Sequence, residues 1–181
     1  NTIYARLKME IEGELLGLGT GRFHPTVLRM ATIYGYSPRM RFDLVINILT
    51  LHARKSGKIK VFGGEQWRPL VHVEDAARAY VKTLDADPGV VAGEVFNVGS
   101  NAQNHQIGTL GKMVAEVFPS LEIETIPEAP DLRDYRVNFD KIHRVLGYEV
   151  EWEITAGIAG IRDALDQGLV ANPDDGKYYN A

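Results

Sequence analysis

Short apolar runs alternate with stretches of helical periodicity along almost the whole chain, and glycine closes the runs. Residues 26–34 read as a mostly buried strand ended by Gly35, residues 59–62 stop at Gly63-Gly64, and Val95-Phe96-Asn97-Val98 stops at Gly99. Between and around them lie helical patterns at about residues 3–18, 42–55, 74–84, 107–118, 140–146 and 154–169. Helix alternating with buried strand is the rhythm of a parallel sheet covered by helices, so the expected class is α/β. Residues 121–126 alternate apolar and acidic side chains as a half-exposed strand does, and the polar tail from Asn172 reads as loosely held.

At 181 residues and 45% hydrophobic content the chain can bury one substantial core. Its formal charge of -4, with basic residues scattered, gives no footprint for a nucleic acid or an anionic membrane. No apolar run approaches the roughly 18 residues of a membrane span. With no cysteine there is neither a disulfide frame nor a thiolate metal site, which fits a cytoplasmic location. The five histidines show no spacing with carboxylates that argues for a metal. A small or nucleotide-like partner is the easier one to support.

Tyr4-Ala5-Arg6-Leu7-Lys8 sets a phenol and an ammonium four residues apart on one helix face. A neighbouring cation stabilises a phenolate, which is what a tyrosine acid/base requires. The spacing alone is common and by itself reads first as an ordinary helix-surface pair. Four stretches downstream of it are more specific: Leu28-Arg29-Met30-Ala31-Thr32-Ile33-Tyr34-Gly35, then residues 63–77 from Gly63-Gly64 through Trp67-Arg68-Pro69 to Glu74-Asp75-Ala76-Ala77, then Val95-Phe96-Asn97-Val98-Gly99, then Leu146-Gly147-Tyr148. In this order the segments resemble the extended short-chain dehydrogenases/reductases, the NAD-dependent nucleotide-sugar epimerases and dehydratases, over most of the chain.

The resemblance implies a C-terminal part of a Rossmann-type parallel sheet plus the small α/β substrate-binding domain. Residues 1–58 would belong to the dinucleotide-binding domain, and residues 59–181 mainly to the substrate domain with returning Rossmann elements. It implies NAD or NADP as cofactor and a nucleotide sugar as substrate. Tyr4 matches the family's catalytic acid/base, and Lys8 the lysine that binds the nicotinamide ribose and lowers the tyrosine pKa; together they would move a hydride and a proton between a sugar carbon and NAD. Met30 and Ala31 match the strand end that packs on the nicotinamide, with plain core as the competing reading. Thr32 stands where an asparagine commonly touches the substrate. Val61 and Phe62 match a strand whose backbone and aromatic ring line the nucleotide base pocket, with core as the competing reading for Phe62; Arg68 matches an arginine aimed at the diphosphate, with a surface arginine beside Trp67 as the competing reading. Glu128 stands where many members carry an arginine, which leaves Arg133 to supply the charge. The turn Tyr34-Gly35-Tyr36-Ser37-Pro38 departs from the family's commoner Tyr-Gly-Pro and leaves the sugar open.

The family's cofactor half opens with a strand and a Gly-rich turn at a helix N-terminus. Gly17-Leu18-Gly19-Thr20-Gly21 follows a helix instead and reads as its stop. The chain therefore reads as a C-terminal half, inactive by itself, whose Ile3, Leu7, Ile11, Val27, Leu28 and Ile33 await cover from the N-terminal half or from a second copy in a homo-oligomer. The competing expectation is a non-catalytic remnant that binds a sugar nucleotide or a protein.

Overall fold

The computed structural model describes residues 3–128, 131 and 133–180. In chain order the elements are α1 (Ile3–Gly17), β1 (Val27–Met30), β2 (Thr32–Tyr34), α2 (Val45–Ser56), β3 (Lys58–Phe62), β4 (Trp67–His72), α3 (Val73–Leu84), α4 (Pro88–Val91), β5 (Val95–Val98), β6 (Asn104–Gln106), α5 (Ile107–Val117), β7 (Glu122–Ile126), α6 (Asp140–Leu146) and α7 (Ile154–Asp166). The pairs β1–β5, β2–β4 and β3–β7 are parallel, and β6 joins β4 antiparallel. The expected α/β fold with parallel sheets is present. Among the described residues no helix is long and apolar enough to cross a membrane.

The run at residues 26–34 is two strands rather than one, because the chain changes partner at Ala31. Val27 to Met30 stay in register with Val95 to Val98, the Ala31 amide donates to Val98 O at 3.0 Å, and from Thr32 the register is with Leu70 to His72. Apolar periodicity carries no sign of this, since both halves are strand. Two other departures are local. Pro88 does not merely end the preceding helix but opens α4, with Asp87 capping the Gly89 amide, since proline suits a first helical position. The polar β6 has no apolar period to announce it.

Two apolar clusters interleave along the chain. One gathers Tyr34, Phe42, Ile46, Leu49, Ile59, Val61, Leu110, Ile158 and Ile161; the other gathers Ala31, Val71, Ala76, Ala79, Phe96, Val98, Phe139, Ile142 and Tyr148. Asp75 stitches helix to loop behind the second. Its carboxylate, fully buried, accepts from the backbone amides of Glu151 and Trp152 and pairs with Arg78, while the Tyr148 hydroxyl donates to Asp75 O at 3.0 Å. The first-turn acid of α3 is thus also the anchor of residues 148–152, and burial pushes the Tyr148 phenol up to about 12.

His72 sits where the clusters meet. Its ring stacks on Trp152 at 4.0 Å, meets Tyr34 edge-on at 5.3 Å, and its Nδ1 accepts from the Glu74 amide that opens α3. Gly35 and Gly157 make room for this packing: a Cβ at Gly35, whose φ is 109°, would fall 2.3 Å from His72 Nε2, and one at Gly157 would fall 2.5 Å from Tyr34 Cε2.

The tail corrects the expectation of a loose end. Tyr178 is buried, its carbonyl accepts from the Phe42 amide at 2.8 Å, and its ring meets Phe42 edge-on, while Lys55 holds Asp174 at 2.7 Å. One large aromatic outweighs the polar residues around it, because it is the side chain with the most area to bury. α1 behaves in the opposite way. No residue on it is buried, and Ile3, Leu7 and Ile11 are exposed, whereas Val27, Leu28 and Ile33, expected to share that exposure, are half-buried. Leu28 and Ile33 lean on the second cluster.

Two measurements check this packing. Tyr178→Ala should destabilise the fold by about 3 kcal/mol, within the range for buried aromatics; an unchanged urea midpoint would show the tail undocked. Burial lowers the His72 pKa to about 4, so the folded state holds the imidazole neutral. Stability is then fully present above the unfolded value near 6.5 and is lost as pH falls from there toward about 4, at up to about 1.4 kcal/mol per pH unit. Comparing urea midpoints of wild type and His72→Gln across that window should show a steeper fall in wild type, since the other shifted groups, His52 and His105 among them, act equally in both.

Candidate functional site

β3 provides one wall of a large cavity. Its side chains alternate, with Ile59 and Val61 in the core and Lys58, Lys60 and Phe62 on the other face. Val61, expected beside the nucleotide, therefore gives its side chain to the core, and Phe62, 42% exposed, is the ring that faces the cavity. The cavity holds about 880 Å³ between β3, the start of β4, α2 and the side chains of Asp131, Arg133 and Tyr135. Thr32, Phe62, Arg68 and Arg133 all line it, together with Lys58, Lys60, His52 and Tyr135.

At one end two guanidinium groups share one carboxylate. Arg68, whose side chain is only 7% exposed, donates to Trp67 O at 2.8 Å, to Asp131 Oδ2 at 3.0 Å and to Arg133 O. Arg133 grips the same carboxylate with Nε at 2.8 Å from Oδ1 and a terminal nitrogen at 2.5 Å from Oδ2. Asp134 accepts from the Trp67 amide at 2.9 Å, and Arg136 lies over the Trp67 ring. Arg133, then Arg68, hold the Asp131 carboxyl well below the usual carboxylate range. Three charges of which two are positive leave this corner cationic, and planar guanidinium forks suit phosphate oxygens.

Met30 and Ala31 fall in an adjoining cavity of about 410 Å³, lined also by Asn97, Tyr135, Val137 and Asn138. Tyr135 borders both cavities. The site thus lies where β1 and β5 end, the place at which parallel sheets present ligands.

Tyr4 and Lys8 share one face of α1, with Lys8 Nζ 5.8 Å from the Tyr4 ring centroid. Both are exposed and line neither cavity. The helix is tied to β1 by a two-pronged bond from Arg29 to Glu12, at 2.8 and 2.5 Å. Glu128 is exposed and lines neither cavity. Gly17 ends α1 and leads into a Thr20–Phe23 bridge, so this glycine-rich stretch is a helix stop.

Sequence reasoning did not single out Lys60, and it reached Asp131 and Tyr135 only as members of residues 131–136, the stretch that the family resemblance puts at a second phosphate region. Lys60 was legible from the alternation of β3, which puts it on the face of Phe62; Asp131 and Tyr135 lie on an irregular segment with no period to place them.

Arg68→Ala should lower stability by about 1–3 kcal/mol, since it leaves a carboxylate and two carbonyls short of a donor. Phe62→Ala, already facing the cavity, should stay within about 0.5 kcal/mol of wild type. Equal loss in both by chemical denaturation would contradict this division.

The family model described as NAD dependent epimerase/dehydratase family matches residues 1–99. Solved structures share the fold. RMD from Pseudomonas aeruginosa, solved with NADPH, is 22% identical with a TM-score of 0.77, covering 92% of this chain and 57% of its own. The UDP-glucose 4-epimerase of Thermotoga maritima, solved with UDP-glucose, is 25% identical with a TM-score of 0.74, covering 90% of this chain and 52% of its own. The dTDP-glucose 4,6-dehydratase of Bacillus anthracis, solved with NAD, is 21% identical with a TM-score of 0.77, covering 93% and 53%. The chain spans about half the length of these proteins.

Proposed function

The chain belongs to the NAD-dependent epimerase/dehydratase family, and on that footing we propose that it is the substrate-binding part of an enzyme that oxidises and reduces the sugar of a nucleotide sugar. The single observation that carries this reading is the large cavity, which gathers an aromatic ring, two guanidinium groups and a threonine around one space. Phe62 stacks on the base, Arg68 and Arg133 hold the diphosphate, and Thr32 faces the sugar. Arg68 comes to this task already oriented by its two carbonyl partners, so little freedom is lost on binding.

The cofactor reading rests on the adjoining cavity. Met30 and Ala31 give an apolar wall at a strand end that suits the flat nicotinamide ring of NAD or NADP. A Gly-rich pyrophosphate turn between strand and helix is not found among the described residues, so the dinucleotide's other half is assigned to the half of the relatives' length that this chain does not span. A bound dinucleotide supplies reversible two-electron oxidation at a sugar carbon. Tyr4 takes and returns the proton at the sugar hydroxyl oxygen, and Lys8, one turn along, stabilises the phenolate and holds the ribose. The exposed apolar face of Ile3, Leu7 and Ile11 is covered by that further half or by a second copy in a homo-oligomer.

The test uses the full-length protein. Phe62→Ala should weaken UDP or GDP binding by about 1–3 kcal/mol in calorimetry, the cost of losing a base–aromatic stack. Tyr4→Phe should keep that affinity and lose about a hundredfold to ten-thousandfold in turnover. Wild-type turnover in Tyr4→Phe would reduce the Tyr4–Lys8 pair to a helix-surface contact, and unchanged affinity in Phe62→Ala would remove the base from this cavity.

A further inference from the structure

Two lysines of β3 line the cavity away from the guanidinium corner, opposite Glu122 and Glu124 of the paired strand β7. β3 runs from Lys58 to Phe62 over about 13 Å at the usual rise per residue, and only its far end turns through Gly63-Gly64 toward Gln66 and Arg68. Lys58, at the near end, is spent on two acids, with Nζ 2.8 Å from Glu122 and 3.1 Å from Glu124. Lys60 lies between Lys58 and Phe62 on the same face and makes no ion pair within 4 Å among the described residues, although Glu124 feels its field. An exposed lysine on an edge is ordinarily a solvated group. Here the ammonium lines a concave space shared with Phe62, two residues and about 7 Å along the strand from it.

We propose that Lys60 selects the nucleobase, taking bases that present a carbonyl oxygen at the edge that lies toward β3 and rejecting those that present an amino group there. The inference rests on the reading of the cavity as a nucleotide site and goes one step past it. A base stacked on Phe62 lies flat on the ring, so its in-plane edge points along the strand, and Lys60 is the next side chain on that face. An ammonium has three donors and no acceptor. It can bond to the O4 of uracil or thymine or the O6 of guanine, whereas the exocyclic N4 of cytosine and N6 of adenine, at the same places, are donors and would face it unpaired. His52 and Ser56, on α2, also line the cavity, and Ser56 Oγ donates to Lys58 O at 3.0 Å. Burial, and then Lys55, lower the His52 pKa below its ordinary value.

The direct measurement is calorimetric titration of the full-length protein with UDP, CDP, GDP and ADP, for wild type and Lys60→Met. UDP should bind at least about tenfold tighter than CDP, and GDP than ADP, as a charge-assisted hydrogen bond gained against a donor left unpaired would give. Lys60→Met should bring each ratio within about threefold, with the denaturation midpoint unchanged. Equal wild-type affinity within each pair, or ratios that survive the substitution, would overturn the role of Lys60 while leaving the nucleotide site standing. Binding of none of the four would overturn both readings together.

Discussion

The change of partner at Ala31 is the constraint on which the rest of the molecule hangs. One eight-residue stretch is zipped to β5 by its first half and to β4 by its second, so it belongs to both apolar clusters at once. A parallel strand cannot slip by one residue without turning every side chain to the opposite face. With both halves locked, Tyr34 is committed to one cluster and Ala31 to the other. Met30 and Thr32, on either side of the switch, are committed to two different cavities. Gly99 lets the partner strand close on this point: a Cβ there would lie 2.7 Å from the Phe139 ring and 3.3 Å from Ala31 Cβ.

Charge is placed on this frame with unequal care. Asp75 is fully buried and surrounded by two amides and a guanidinium, as an ionised group out of water must be. The ion pairs of Arg54 with Asp166 and Lys55 with Asp174 are exposed and contribute little to stability. The Arg68, Asp131 and Arg133 cluster lies between these cases, with a buried arginine at its root and an exposed one at its rim. Such a cluster is held in shape before any ligand arrives and still has net positive charge to offer it. The pair to which we assign the proton transfer sits differently. α1 carries Tyr4 and Lys8 on a helix that contributes no buried residue and is tethered by Arg29 and Glu12.

Much of this was legible in the residues. Helices α2, α3, α5 and α7 follow from apolar spacing, and their ends from Gly57 and from the acids that open α3. The four ordered motifs pointed to the family, and the first three reach two neighbouring cavities while Tyr148 of the fourth packs in the second cluster. The inward turn of Val61 could have been read from Lys58-Ile59-Lys60-Val61-Phe62, since a strand with two charged residues at alternate positions must bury the others. The docking of Tyr178 could not, because the polar residues around it outnumber it and its partner Phe42 lies more than a hundred residues away.

The sequence by itself determined the local alternation of helix and strand, the faces of those elements, and the family to which the chain belongs, because each depends on the order of residues within a few positions or on motifs in series. Only the tertiary structure decided where one strand changes partners, that Arg68 and Arg133 meet on one carboxylate, that Lys60 and Phe62 look into the same space, and that α1 stands clear of both clusters. Those are relations between residues far apart in the chain. They are settled by which apolar faces close on one another and which buried polar groups must then find partners.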